Sequence, residues 1–146
     1  MSGHFIEREL VLIPNTLINE RNISHAHLLE LTTQPHWCEL GSPPAPDFED
    51  YKPALLVSQA VKDRLDRYRQ INPIDVVGTI ISSRVDVAGN LVGVVRILDT
   101  HAKAASLKKA LMKPKCGLVI HPRIGLRQTF GNNYEACVFG FDLGFK

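Results

Sequence analysis

Two short strings set histidine and cysteine close together, His25-x-His27 and His36-x-Cys38. Imidazole nitrogen and thiolate sulfur are good zinc ligands, so these four are the first candidates for chemistry in the chain. A spacing of two puts both side chains on one face of a strand, which suits His36 and Cys38. His25 and His27 fall at a predicted helix start, where positions two apart diverge. They are read as surface and capping residues, and no metal or other cofactor is expected. Arg64, Arg67 and Arg69 surround Tyr68, a basic and aromatic combination found on nucleic-acid-binding faces. Asp63 and Asp66 alternate with them. That pattern reads as a solvated helix face, so nucleic acid is not an expected partner. Asp86 to Asn90 lacks the alternating oxygen ligands of a calcium loop. No Gly-rich, phosphate-cradling loop of the Walker or Rossmann kind occurs.

The elements that would carry these residues follow from periodicity. Phe5 to Ile13 reads as a first strand, followed by Pro14-Asn15 and a polar loop through Asn22. Ser24 is a good N-cap for a short helix from His25 to Leu31, which Pro35 closes. His36 to Leu40 reads as a short strand. GSPPAPDFEDYKP then holds four prolines and one glycine in 13 residues, a loop by composition. Ala54 to Gln70 is the clearest helix, with Val57, Val61, Leu65 and Tyr68 forming one apolar stripe. Pro53 suits its first turn. Lys62–Asp66 and Asp63–Arg67 are its predicted i,i+4 pairs.

Asp75 to Leu98 is the strongest β signal: two arms rich in Val, Ile and Leu around Ala88-Gly89-Asn90. Both arms are apolar on nearly both faces, which places them centrally in a sheet or barrel. A further helix is predicted from about Ala102 to Met112, with Leu107 and Leu111 inward and Lys103, Lys108 and Lys109 outward. Leu118 to Ile124 and Glu135 to Leu143 complete the chain as strands joined through Gly131-Asn132-Asn133. The class is therefore α+β: a mostly antiparallel sheet or small barrel flanked by helices, forming a single domain over residues 1–146.

At 146 residues, 45% hydrophobic and 22% charged, the chain is long and apolar enough for a real core. No apolar run approaches the ~20 residues of a membrane helix. The N-terminal string MSGHFIEREL has acids where a signal peptide has its apolar core, so secretion is not expected. Cys38, Cys116 and Cys137 form no CxxC and are read as reduced thiols in a cytosolic setting. The net charge of +2 hides a split. Residues 1–100 carry 9 Lys/Arg and 13 Asp/Glu, while residues 101–146 carry 8 and 2. Such asymmetry suits head-to-tail contact or an acidic partner.

Several strings, in order, resemble the prohead (capsid-maturation) proteases of tailed phages. FIERELVLIPNTLINERNISHAHLLEL is similar to that family's first strand, Asn-Arg-Asn-like loop and short helix. Glu39-Leu40-Gly41-Ser42-Pro43 matches its E-L-x-H-P string. Gly93 to Asp99 matches its Gly-x-x-arginine stretch. Gly117-Leu118-Val119-Ile120-His121-Pro122 matches the strand that carries the nucleophilic serine, and Cys137 to Leu143 matches a last strand ending in an acid. The resemblance implies a compact β-barrel flanked by helices, with the helix near 54–70 as an insertion. It also implies that the site is changed. Ser42 stands where the family has its histidine, Val119 and Ile120 stand where it has serines, and Asp142 matches an acidic position.

Serine proteolysis needs a hydroxyl nucleophile with a base in hydrogen-bond reach. Ile120 has no hydroxyl, and Ser42 is no base near neutral pH. A rebuilt site would have to draw on His36, Ser82, Ser83 and His121. Ser82-Ser83-Arg84 imitates the family's serine string but lies one hairpin too early. The resemblance therefore implies a non-catalytic, capsid-associated structural protein (decoration, cement or assembly factor) that binds the major capsid protein, with other head proteins and its own copies as further candidate partners. Its location would be the virion, and the host cytoplasm during assembly. The alternatives are an active head-maturation protease with a rearranged site and a small phage regulatory or adaptor protein.

Overall fold

The computed structural model describes residues 5–41, 43–51, 58–131 and 133–146. Six strands form one sheet: β1 (Glu7–Ile13), β2 (His36–Leu40), β3 (Val76–Val85), β4 (Leu91–Ile97), β5 (Leu118–Gln128) and β6 (Tyr134–Phe145). Their order is β1-β4-β3-β2-β6-β5. All neighbours run antiparallel except β2 and β6, which pair parallel. The predicted central hairpin does occupy interior positions, and Gly89 takes the left-handed φ of +87° that its turn requires. The sheet curls until β1 and β5 approach each other. Among the described residues no backbone hydrogen bond joins them, so the curled sheet is an open half-barrel.

Among the described residues four helices accompany the sheet: α1 (Asn15–Glu20), α2 (His25–Leu31), α3 (Gln59–Arg69) and α4 (Ala104–Leu111). α1 corrects the predicted polar loop. Its start has no Ser, Thr or Asp cap in its own sequence. The cap comes from the central hairpin instead. Asn90 Oδ1 accepts from the Asn15 N–H at 2.8 Å, and Asn15 Nδ2 donates to the Ala88 carbonyl at 2.9 Å. α2 has its predicted bounds, and Ser24 Oγ accepts from the His27 N–H at 3.1 Å. The described part of the stripe helix begins after Ser58, whose hydroxyl accepts from Val61 N–H at 3.2 Å. Residues 54–57 and Pro53 of that prediction lie outside the described residues. α4 is capped from a distance at its C-terminal end. Arg8 on β1 donates to the carbonyls of Leu111, Lys113 and Pro114 at 3.0, 2.6 and 3.3 Å.

The concave face of the sheet holds the main core. Leu12, Ile80, Val95, Phe141 and Leu143 from strands meet Leu28 and Leu31 of α2 and Leu107 and Leu111 of α4. The convex face of β2, β6 and β5 is covered by α3 and by a 3-10 turn at Phe48–Tyr51. A β-bulge between Arg123 and Ile124 leaves Phe139 unopposed. Its ring stacks on Tyr51 and meets Tyr68 edge-on, both at 6.1 Å, with the Arg69 guanidinium 5.8 Å away. Gly125 lies beneath Tyr51, and a Cβ there would collide with the Tyr51 hydroxyl and the Phe139 ring. None of the described helices is long and apolar enough to cross a membrane.

Candidate functional site

Three apolar strands each carry one buried charge: Glu39 in HWCEL, Arg123 in LVIHPRIGLRQ and Asp142 in YEACVFGFDLGF. The register aligns Glu39 with Asp142 across the parallel pair, and Arg123 lies diagonally on the same face. Arg123 grips Asp142 through Nε at 2.9 Å and Nη2 at 2.7 Å, and Nη2 also meets Glu39 Oε2. Its Nη1 donates to the Gln70 carbonyl at 2.7 Å and, more weakly, to those of Arg67 and Tyr68 at the end of α3. Arg67 completes the set, donating to Glu39 at 2.7 and 3.0 Å. Two guanidinium groups thus neutralise two carboxylates beneath α3. Burial alone would raise the Glu39 carboxyl, but hydrogen bonds from Arg67 and Arg123 outweigh it and hold it below the usual carboxylate range. The predicted Asp63–Arg67 pair is therefore not made; Asp63 instead accepts from Gln59 at 2.8 Å. The solvated face of this helix is seen at Asp63, Arg64 and Asp66, but two of its exposed arginines also have tertiary contacts. Tyr68 is buried, Arg67 reaches inward, and Arg69 lies over aromatic rings.

The residues expected to form or rebuild a catalytic site are scattered. Ser42 lies outside the described residues. Val119, Ile120 and His121 lie on β5 beside the open seam with β1. Ile120 is registered with Leu143 and His121 with Asp142. Ile120 and Asp142 therefore project from opposite faces of the sheet. His121 shares the face of Asp142 but sits over Gly144, where an added Cβ would be 3.3 Å from its Nε2. His36 is registered with Ile80 on β3, its Nε2 lies 2.7 Å from the Leu31 carbonyl, and its ring meets Phe141 edge-on at 5.3 Å. Ser82 and Ser83 follow a bulge on β3, and two strands, β2 and β6, separate them from His121 in the sheet. The Ser83 hydroxyl is buried without a hydrogen-bond partner.

The metal candidates do not converge either. Among the described residues, no group of three or more His, Cys, Asp or Glu could hold an ion. His27 is not a surface residue. It is buried, and its Nε2 accepts the Val138 N–H at 2.8 Å, which pins α2 to β6. Burial, aided by the Arg127 charge, lowers its pKa. Cys38 shares a face of β2 with His36 but is buried among apolar side chains, and desolvation pushes its thiol up to about 12. All three cysteines are free.

Two of the concavities among the described residues are mainly apolar. The seam between β1 and β5 is a groove of about 510 Å³ lined by consecutive residues of each strand, Leu10, Val11 and Leu12 facing Leu118, Val119 and Ile120. Side chains of successive residues point to opposite faces, so this lining exposes the strand edges themselves. The second is a shallower apolar hollow of about 370 Å³ beside the half-exposed Trp37, walled by Ile71, Pro73, Val76 and Leu98. The charge split is partly absorbed inside the fold. Arg123 and Arg127 of the basic segment pair with Glu39 and Glu30 of the acidic one. No protein-family model matches this chain, and no curated protein or solved structure matches it.

Proposed function

We propose that this protein is a non-catalytic, capsid-associated structural protein with a prohead-protease-like framework, acting as a decoration, cement or assembly factor on the major capsid protein. The non-catalytic half of this reading is supported by one observation. Asp142, at the position matching the family's acid, is held bidentate by Arg123 and faces away from Ile120. A triad acid must orient a base that reaches the nucleophile. This carboxylate instead fastens β6 to β5 and, through Arg123, to α3. The capsid half rests on the resemblance of the strings Glu39 to Pro43, Gly93 to Asp99 and Gly117 to Pro122 to the family's.

Quantitative mass spectrometry of purified particles of the encoding phage tests it. The chain should be present at high copy number and intact over all 146 residues. Absence from particles would sink the structural reading in favour of a regulatory or adaptor role. Self-cleavage of the purified chain, abolished by Ser82→Ala or His36→Ala, would replace it with the rearranged protease.

A further inference from the structure

We infer that the outer face of α4 and the turn that follows it form a binding surface for the phosphate backbone of duplex nucleic acid. From Thr100 to Tyr134 the chain has no Asp or Glu, and five lysines fall between residues 103 and 115. Asp99 holds one of them, Lys108. Lys103, Lys109, Lys113 and Lys115 are exposed, and among the described residues none of them meets a carboxylate. Arg8 adds a charge that no acid cancels, because its guanidinium is spent on the carbonyls of Leu111, Lys113 and Pro114. Glu7 and Glu9 flank it in sequence, but they project from the opposite face of β1 and are held by Arg96 and Arg84. The cations are also fixed in place. The Gly117 N–H donates to the Ala110 carbonyl at 2.8 Å, so the turn that carries Lys113 and Lys115 folds back on the helix it leaves. Lys103 stands at the N-cap of α4, where the helix dipole opposes a cation. Helix stability does not call for a lysine there, and the self-repulsion of the group is relieved by a polyanion.

The rest of the face selects the anion. Between the lysines it exposes Ala102, Ala105 and Ser106, small side chains that let a partner come close to the helix. Met112 is the one large apolar side chain exposed on this stretch. An anionic membrane would need a broad apolar face on α4, and that face, with Leu107 and Leu111, is in the core. A protein interface is centred on buried aromatic or arginine anchors and is poor in lysine. Interfaces with nucleic acid are more polar and much more positive. A single strand calls for aromatic platforms under its bases, and residues 100–117 contain no Phe, Tyr or Trp. A second copy does not match the face either. Glu7, Glu9 and Glu30 are already paired, and Asp63 and Asp66 of α3 alternate with Lys62 and Arg64. Lys103 and Lys109 lie about 9 Å apart along the helix axis, and the turn extends the row. A duplex, with one charge per ~1.7 Å, offers several phosphates over that span. Lysines meet phosphates as point charges and read no bases, so the binding is indifferent to sequence. The arginines beside Tyr68 are no part of it: Arg67 is held by Glu39, and Arg69 lies over Tyr51 and Phe139.

The test uses the full chain and a fluorescent duplex of about 30 base pairs, read by polarisation from about 50 to 200 mM salt. Four phosphate contacts, one for each free lysine, give a slope of log K against log salt of about −3.6, which is a loss of roughly a hundredfold over that range. Duplexes of unrelated sequence should bind alike. Replacing Lys109, Lys113 and Lys115 together by Gln should flatten the slope to about −1. All three side chains are exposed, and an unchanged Tm of the triple variant shows that the fold is kept. Lys62→Gln with Arg64→Gln, on α3, should leave the slope as it was. No binding at the lowest salt, or a slope that the triple variant leaves unchanged, would overturn the proposal. So would tighter binding to a poly-glutamate chain of equal charge, which would assign the face to an acidic protein, or a preference for single strands over the duplex. The measurement contains no capsid protein, so its outcome is independent of the capsid reading.

Discussion

Arg123→Met should be the most damaging single substitution on the convex side of the sheet. It removes both hydrogen bonds to Asp142, the contact to Glu39, and the donor to the Gln70 carbonyl. Asp142 and Glu39 are at most 1% exposed, so water cannot replace the lost partner without the site opening. Breaking a buried pair by removing one member costs about 3–5 kcal/mol. Glu39 keeps Arg67, whereas Asp142 loses the guanidinium that grips both its oxygens. A loss of about 4 kcal/mol is a large part of the ~5–15 kcal/mol that stabilises a typical domain. It corresponds to a fall in Tm of about 8–16 °C at this size. Asp142→Leu added to Arg123→Met leaves Glu39 and Arg67 as a neutral pair. That double variant should recover about 2–3 kcal/mol of the loss, because the buried carboxylate deprived of Arg123 is gone. Urea unfolding followed by far-UV circular dichroism measures both, with the fluorescence of the single tryptophan, Trp37, as a second probe of two-state behaviour. A single-variant cost under about 1 kcal/mol, or a double variant no more stable than the single one, would refute the reasoning that the cluster is held by charge compensation.

Two further outcomes follow from positions described above. The pKa of His27 is lowered in the fold, so its contribution to stability is complete above the unfolded value near 6.5 and is lost as pH falls below it toward the folded value. Urea midpoints should therefore decline between pH 7 and pH 5, and His27→Gln, which keeps an acceptor for the Val138 N–H, should flatten that decline. Asn90→Ala should destabilise by about 1 kcal/mol through loss of the cap on α1. Amide exchange should show that loss first at Asn15 to Leu17, and unchanged protection there would argue against a cap supplied by the hairpin.

The elements that follow from local chemistry were legible in the sequence. Ser24 and Pro35 bracket α2, and the Asp75–Leu98 hairpin announces itself through its β-branched arms and its Gly89 turn. What the sequence concealed is tertiary. α1 looks like loop in the sequence because its cap, Asn90, lies 75 residues away. The resemblance drew attention to Ser42, Ile120 and Asp142, whereas the convergence of polar groups is Glu39, Arg67, Arg123 and Asp142. A signal for it existed: Glu39 is the one charge of β2, Arg123 and Asp142 each sit within apolar stretches of β5 and β6, and together the three sum to −1. A fourth, cationic partner was implied, but the stripe helix offers Arg64, Arg67 and Arg69 alike. Only the packing of α3 over the Glu39–Asp142 pair selects Arg67. The register between β5 and β6, which sets Ile120 opposite Leu143, explains why Ile120 and Asp142 do not share a face.

The parallel pairing of β2 with β6 has a consequence for how the chain comes off the ribosome. β2 can join β3 soon after the central hairpin emerges, but its other side waits for a strand about 100 residues later. Until then the Glu39 carboxylate has Arg67 but not Arg123, its contact 84 residues away. The first four strands thus form a partial sheet with one edge of β2 open, and the β5–β6 hairpin acts as a clasp that arrives only after both of its strands are made. Long-range pairing of this kind slows folding, because the loop must close before the contacts reward it. A nascent chain held at residue 117 should therefore be soft to proteases around β2 and α3, and should harden in one step when β5 and β6 are released together.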